Sequence, residues 1–120
     1  MEIRHYTIGN ILVLELKGEL KNKSVYKMKP FILEVVTKDC KKIILDMKEV
    51  QSVDVSWCDY LIRMYRIMQT YGRQLVIANC PDYLSDNEYA KKVMDLYPFY
   101  ASLEEALVYF QPGFVHQNVM

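Results

Sequence analysis

A chain of 120 residues is the size of one domain and can bury about two-thirds of its unfolded surface without a disulfide or metal staple. A composition of 52% hydrophobic and 25% charged residues, with four Gly and four Pro, excludes a disordered or collagen-like chain. Fifteen basic side chains balance fifteen acidic ones, which argues against nucleic-acid binding, and no apolar run approaches the roughly 18 residues of a membrane span.

Residues 2–8 and 10–17 read as two strands joined by a tight turn at Gly9-Asn10. The second contains the nearly continuous apolar run Ile11 to Leu16, as a central strand requires, and Gly18 is expected to end it. Ser24 is a candidate helix N-cap, and Val25, Met28, Ile32, Val35 and Val36 recur at helical spacing. Pro30 either kinks this helix or marks a later start. Ile43-Ile44-Leu45 is a short buried strand, left through Asp46, with Met47 to Val55 as a connection. A long helix is expected from about Trp57 to Tyr71, with Gly72 as its C-terminal stop. Leu75 to Ala78 is the next buried strand. Helices over 85–96 and 102–109 each open with a capping box, Ser85 with Glu88 and Ser102 with Glu105.

This order predicts an α/β fold: a small mixed sheet of four to five strands with helices mainly on one side. One domain spans 1–110, and 111–120 form a C-terminal tail. The start, Met1 to Tyr6, has no apolar signal core. Cys40, Cys58 and Cys80 are odd in number and include no Cys-x-x-Cys pair, which suits a reduced, cytoplasmic protein. His5 and His116 lie near opposite ends, so neither a metal site nor a cofactor is expected. No Gly-rich phosphate loop and no G-x-S-x-G elbow is present, and an enzyme is not expected.

The segment Val53 to Tyr60 is the most informative. Ser56 and Asp59 have capping-box spacing, with Val55 and Tyr60 placed as a hydrophobic staple. Ser56 is therefore explained as a cap. It is also a candidate modification site, because a helix N-terminus favours an anion, although Asp54 and Asp59 would repel a phosphate there. Cys58 falls in the first turn, where a thiolate is stabilised; the alternative is a small core residue. The helix carries two apolar stripes. Cys58, Leu61, Ile62, Tyr65 and Met68 form one; Trp57, Tyr60, Met64, Ile67 and Tyr71 form the other. Either both are buried in one wide face, or the second is a docking surface with Arg63 and Arg66 as its rim.

From Ile11 to Phe110 the chain resembles the STAS domains, of the anti-sigma factor antagonist type. The resemblance rests on Gly18-Glu19-Leu20, on Ile43-Ile44-Leu45-Asp46 followed eight residues later by Asp54, and on Asp54-x-Ser56 before the long helix. It continues through Tyr71-Gly72-Arg73-Gln74-Leu75-Val76-Ile77-Ala78-Asn79 and Ser102-Leu103-Glu104-Glu105-Ala106-Leu107. It implies a regulator that binds an anti-sigma factor, often itself a serine kinase, and is switched off by phosphorylation at the head of the long helix. Ser56 is then the candidate phosphorylation site, with Asp54, Lys21 and Asp59 as its neighbours. Trp57, Tyr60, Arg63, Met64 and Ile67 are the candidate contact surface, and a homodimer is a further expectation. The chain departs from the family pattern at four places: Val55 for a serine, Trp57 for a glycine, Cys58 for an aliphatic residue and Lys21 for an aspartate. Val55, Trp57 and Lys21 favour the alternative of an unphosphorylated scaffold or transport-associated subunit.

Overall fold

The computed structural model describes residues 1–37, 42–82 and 88–111. Among the described residues the elements are, in order, β1 (Glu2–Ile8), β2 (Ile11–Leu20), a 3₁₀ segment (Asn22–Met28), α1 (Lys29–Thr37), β3 (Lys42–Val53), α2 (Val55–Thr70), β4 (Gln74–Ala78), α3 (Glu88–Leu96), β5 (Phe99–Tyr100) and α4 (Leu103–Phe110). The sheet has five strands in the order β1-β2-β3-β4-β5. β1 and β2 are antiparallel, and every later pairing is parallel. The expected α/β architecture is therefore present.

Alternation along the central strands divides the core in two. Leu12, Leu14, Leu16, Ile43, Leu45, Met47, Leu75 and Ile77 face α1, α2 and α3. Ile11, Val13, Ile44, Val76 and Ala78 face Ala106, Leu107 and Phe110 of α4. Three helices thus cover one face and a single short helix covers part of the other. Asp46, buried where β4 ends, accepts hydrogen bonds at Oδ1 from the Lys48 amide and from Asn79 Nδ2, both at 3.0 Å.

Four local expectations need correction. Gly18 does not end β2. Its φ of +97° accommodates a register shift against β3, and the strand continues to Leu20. Met47 to Val53 is no connection either. It extends β3 alongside the far half of β2, with Met47 and Val50 turned inward. Ser24 is not an N-cap but lies inside the 3₁₀ segment, its hydroxyl donating to the Lys21 carbonyl at 2.7 Å. The fourth, at Ser56, concerns the site below. Pro30 resolves as a later start: α1 begins at Lys29 and Pro30 sits in the first turn, where its missing N–H costs nothing. Gly72 has φ +67° just past α2, and the Arg73 amide bonds back to the Met68 carbonyl at 2.8 Å, closing the helix end. Ser102 caps α4 as expected, accepting from the Glu105 amide at 3.1 Å. Ser85, Cys40, His116 and the tail beyond Gln111 lie outside the described residues.

Candidate functional site

The long β2–β3 pair carries both its chain ends to one place. β2 ends at Leu20 and β3 ends at Val53, and these two residues are register partners. The Asp54 amide donates to the Leu20 carbonyl at 3.0 Å, which sets the start of α2 against the start of the 3₁₀ segment.

Asp54, rather than Ser56, is the N-cap of α2. Its backbone is extended (φ −88°, ψ 171°), and its Oδ1 accepts from the Trp57 amide at 3.2 Å. Its Oδ2 accepts from the Asn22 amide at 2.8 Å, so one carboxylate caps the helix and pins the neighbouring segment. Ser56 lies inside the first turn, half-buried, and its hydroxyl donates to Asp54 Oδ1 at 2.5 Å. Asp59 is exposed on the helix and takes no part in the cap. The sequence admits two overlapping caps here, Asp54 with Trp57 and Ser56 with Asp59. The carboxylate wins because it also reaches the Asn22 amide across the fold.

Burial pushes the Asp54 pKa up, but hydrogen bonds from the Ser56 hydroxyl and from the amides of Asn22, Trp57 and Ser56 outweigh it and hold the group below the ordinary carboxylate value. A carboxyl with a lowered folded pKa adds stability above its unfolded pKa, and that stability is lost as pH falls through the folded one. Asp54→Asn is therefore expected to narrow its melting-temperature deficit against wild type as pH is lowered from about 5 toward 3. Parallel thermal melts across that range check it; a constant deficit would contradict the assignment.

Lys21 and Glu19 flank the site and pair at 2.9 Å, which raises the lysine pKa and lowers the glutamate one. Both side chains are exposed.

Trp57 and Met64, expected on a contact surface, are instead core, with exposures of 0% and 1%. The indole points inward under the 3₁₀ segment. Its Nε1 donates to the Lys21 carbonyl at 2.8 Å and to Ser24 Oγ at 3.2 Å. The buried seam of α2 is Trp57, Cys58, Leu61, Met64 and Met68, drawn from both apolar stripes. Tyr60 is half-buried and packs edge-on against Trp57, with ring centroids 5.9 Å apart. Arg63, Arg66 and Ile67 are exposed, as are Val55 and Tyr71. The outer surface at the head of α2 therefore comprises Val55, Ser56, Asp59, Tyr60, Arg63 and Ile67. Cys58 is a core residue: burial, then Asp59 and Asp54, push its thiol pKa up, so no thiolate is stabilised. Cys80 is likewise pushed up to about 11 by burial and Asp82. Among the described residues no cluster of three or more metal-ligating side chains occurs, and no helix is long and apolar enough to cross a membrane.

The structural role of Ser24 and of the Asn22 amide had no signal in the sequence. The Ser24 hydroxyl receives the Trp57 indole and the Asn22 amide bonds Asp54, long-range contacts that local sequence spacing does not show.

The model of the STAS domain family matches residues 2–106. The chain belongs to the STAS domain family. Its fold is that of solved anti-sigma factor antagonists. Bacillus SpoIIAA in its phosphorylated form superimposes with a TM-score of 0.70 at 15% identity, covering 92% of this chain and 100% of that one. An antagonist from Mycobacterium paratuberculosis gives 0.69 at 16% identity, covering 89% and 91%. A Thermotoga maritima protein of the same type gives 0.76 at 14% identity, covering 88% and 91%. No curated protein sequence matches the chain. In this STAS domain the Asp-x-Ser motif stands at the head of α2, with both Asp54 and Ser56 half-buried.

Proposed function

We propose that this STAS domain is a non-enzymatic regulator that binds a kinase-type anti-sigma factor through the head of α2, with Ser56 as a phosphorylation switch. The observation that carries this reading is the placement of Ser56, half-buried, in the first turn of α2, beside the Asp54 cap and next to an outer surface of Tyr60, Arg63 and Ile67. Trp57 was a reason to doubt the switch, since a bulky side chain replaces a glycine. With the indole buried, it does not stand over the hydroxyl.

A phosphoryl group adds about −1.5 to −2 charge units. Asp54 already accepts the amides that an anion would use, so a phosphate on Ser56 would repel its neighbour and put new charge on the contact surface. Switching off a partner is the expected consequence. The same occupied cap favours a second reading, a constitutive scaffold that is never phosphorylated. A chain of the solved stressosome, a signal integration and transduction hub, shares the fold at TM-score 0.62.

Affinity for purified serine-kinase anti-sigma factors from the same cells separates the two. The switch reading expects Ser56→Asp and Arg63→Glu each to weaken binding at least about tenfold, or roughly 1.4 kcal/mol, with melting temperature held close to wild type for Arg63→Glu and lowered for Ser56→Asp, whose new carboxylate faces Asp54. Unchanged affinity for Ser56→Asp, with Arg63→Glu still disruptive, leaves the scaffold. Unchanged affinity for both removes α2 from the interface.

A further inference from the structure

Neutral overall, the chain is locally very basic in one place. Lys21, Lys23, Lys27 and Lys29 fall within nine residues, and no acid intervenes before Glu34. All four are exposed. The 3₁₀ turn does not scatter them. Lys21, Lys23 and Lys27 converge with Ser24, Tyr26 and Glu19 around one depression of about 350 Å3. Tyr26 is the most exposed of the large apolar side chains among the described residues, at 69%. The tyrosine ring is thus open to solvent beside three exposed lysines, Lys21 paired with Glu19 and Lys27 donating to the Met1 carbonyl at 3.0 Å.

We propose that this depression recognises an acidic stretch of a partner polypeptide, with carboxylates received by Lys21, Lys23 and Lys27 and an apolar side chain laid against Tyr26. The occupant's being a protein rests on the reading of the domain as a partner-binding regulator. Three observations favour it over the other polyanions. Glu19 stands inside the depression and pairs with Lys21, where it would repel a continuous phosphate backbone. The lone tyrosine offers no run of stacking platforms for bases. The chain also lacks the basic excess that phosphate neutralisation uses. The segment is held in advance by the Trp57 indole on Lys21 and Ser24 and by Asp54 on the Asn22 amide, so docking need not order it. Lysines at such a rim set encounter rate and partner choice more than final affinity.

The test is an NMR titration of the isotope-labelled protein with a 20-residue polyglutamate peptide, against a 20-nucleotide single-stranded RNA and phosphatidylserine vesicles. Polyglutamate is expected to move the amides of residues 21–29, with affinity falling about tenfold between low and physiological salt. Lys21→Glu with Lys23→Glu is expected to weaken it about tenfold again while the emission of the single tryptophan stays unchanged. Absence of shifts at 21–29, tighter binding of RNA or vesicles at those amides, or full affinity in the charge-reversed variant overturns the proposal. The α2 reading is judged separately by Arg63→Glu and Ser56→Asp, neither of which lies in the depression. If both leave anti-sigma factor binding intact while polyglutamate still moves 21–29, the α2 reading falls and this site stands.

Discussion

Replacing Trp57 with alanine is expected to lower the unfolding free energy by about 3–5 kcal/mol, a large fraction of what a domain of this size has. The side chain is fully buried among residues of both α2 and the sheet. Its indole N–H also serves the Lys21 carbonyl and Ser24 Oγ. The variant therefore leaves a cavity and loses a bond that ties the 3₁₀ segment to α2. Trp57→Phe separates the two contributions: it keeps most of the volume, removes the donor, and is expected to cost about 1–2 kcal/mol. Denaturant unfolding of the three proteins measures both. A loss under about 1 kcal/mol for the alanine variant would place the indole on the surface, contrary to the geometry.

Met64→Ala is expected to cost about 2–5 kcal/mol, whereas Ile67→Ala, one turn away, is expected to stay within about 1 kcal/mol. Met64 is 1% exposed and Ile67 is 41% exposed. The pair decides where the core of α2 ends and its contact surface begins. Equal stability losses would mean that Ile67 too is core and would shrink the docking surface to Tyr60 and Arg63.

That boundary was only partly legible in the sequence. Grouping apolar residues at i, i+3, i+4 gave two stripes of equal merit. Winding at 100° per residue instead puts Trp57, Leu61, Met64 and Met68 within about 60° of one another, and that arc is the buried one. Cys58, outside that arc, is buried as well and belongs to the same core cluster.

The order of the four longer strands and of the helices was legible, since apolar runs and turn residues alternate there, but the 3₁₀ segment at Asn22–Met28 read as helix and the two-residue β5 is too short to leave a period. Strand ends were not legible. Glu19, Glu49 and Ser52 read as loop because they are exposed and polar, yet the backbone there remains paired between β2 and β3, with Lys48 and Gln51 at the register shifts. A two-strand ribbon projecting beyond the sheet buries few side chains, so its hydrophobic signal is weak. The cap at α2 was misplaced for a related reason. Local spacing cannot see the Asn22 amide, and it is that long-range bond that favours Asp54 over Ser56. The resemblance to the family pointed to the Asp54–Ser56 pair, and the structure places both residues, half-buried, at the head of α2.

The account turns on Ser56 as a switch. Phosphopeptide mass spectrometry on the protein taken from its own cells, in growth and under stress, tests this most directly. Tryptic cleavage after Lys48 and Arg63 releases Ser52 and Ser56 on one peptide, so the fragmentation must localise the group. The account predicts phosphate on Ser56 with an occupancy that changes between conditions. A peptide recovered at full coverage and always unmodified, or carrying phosphate on Ser52 alone, would contradict it.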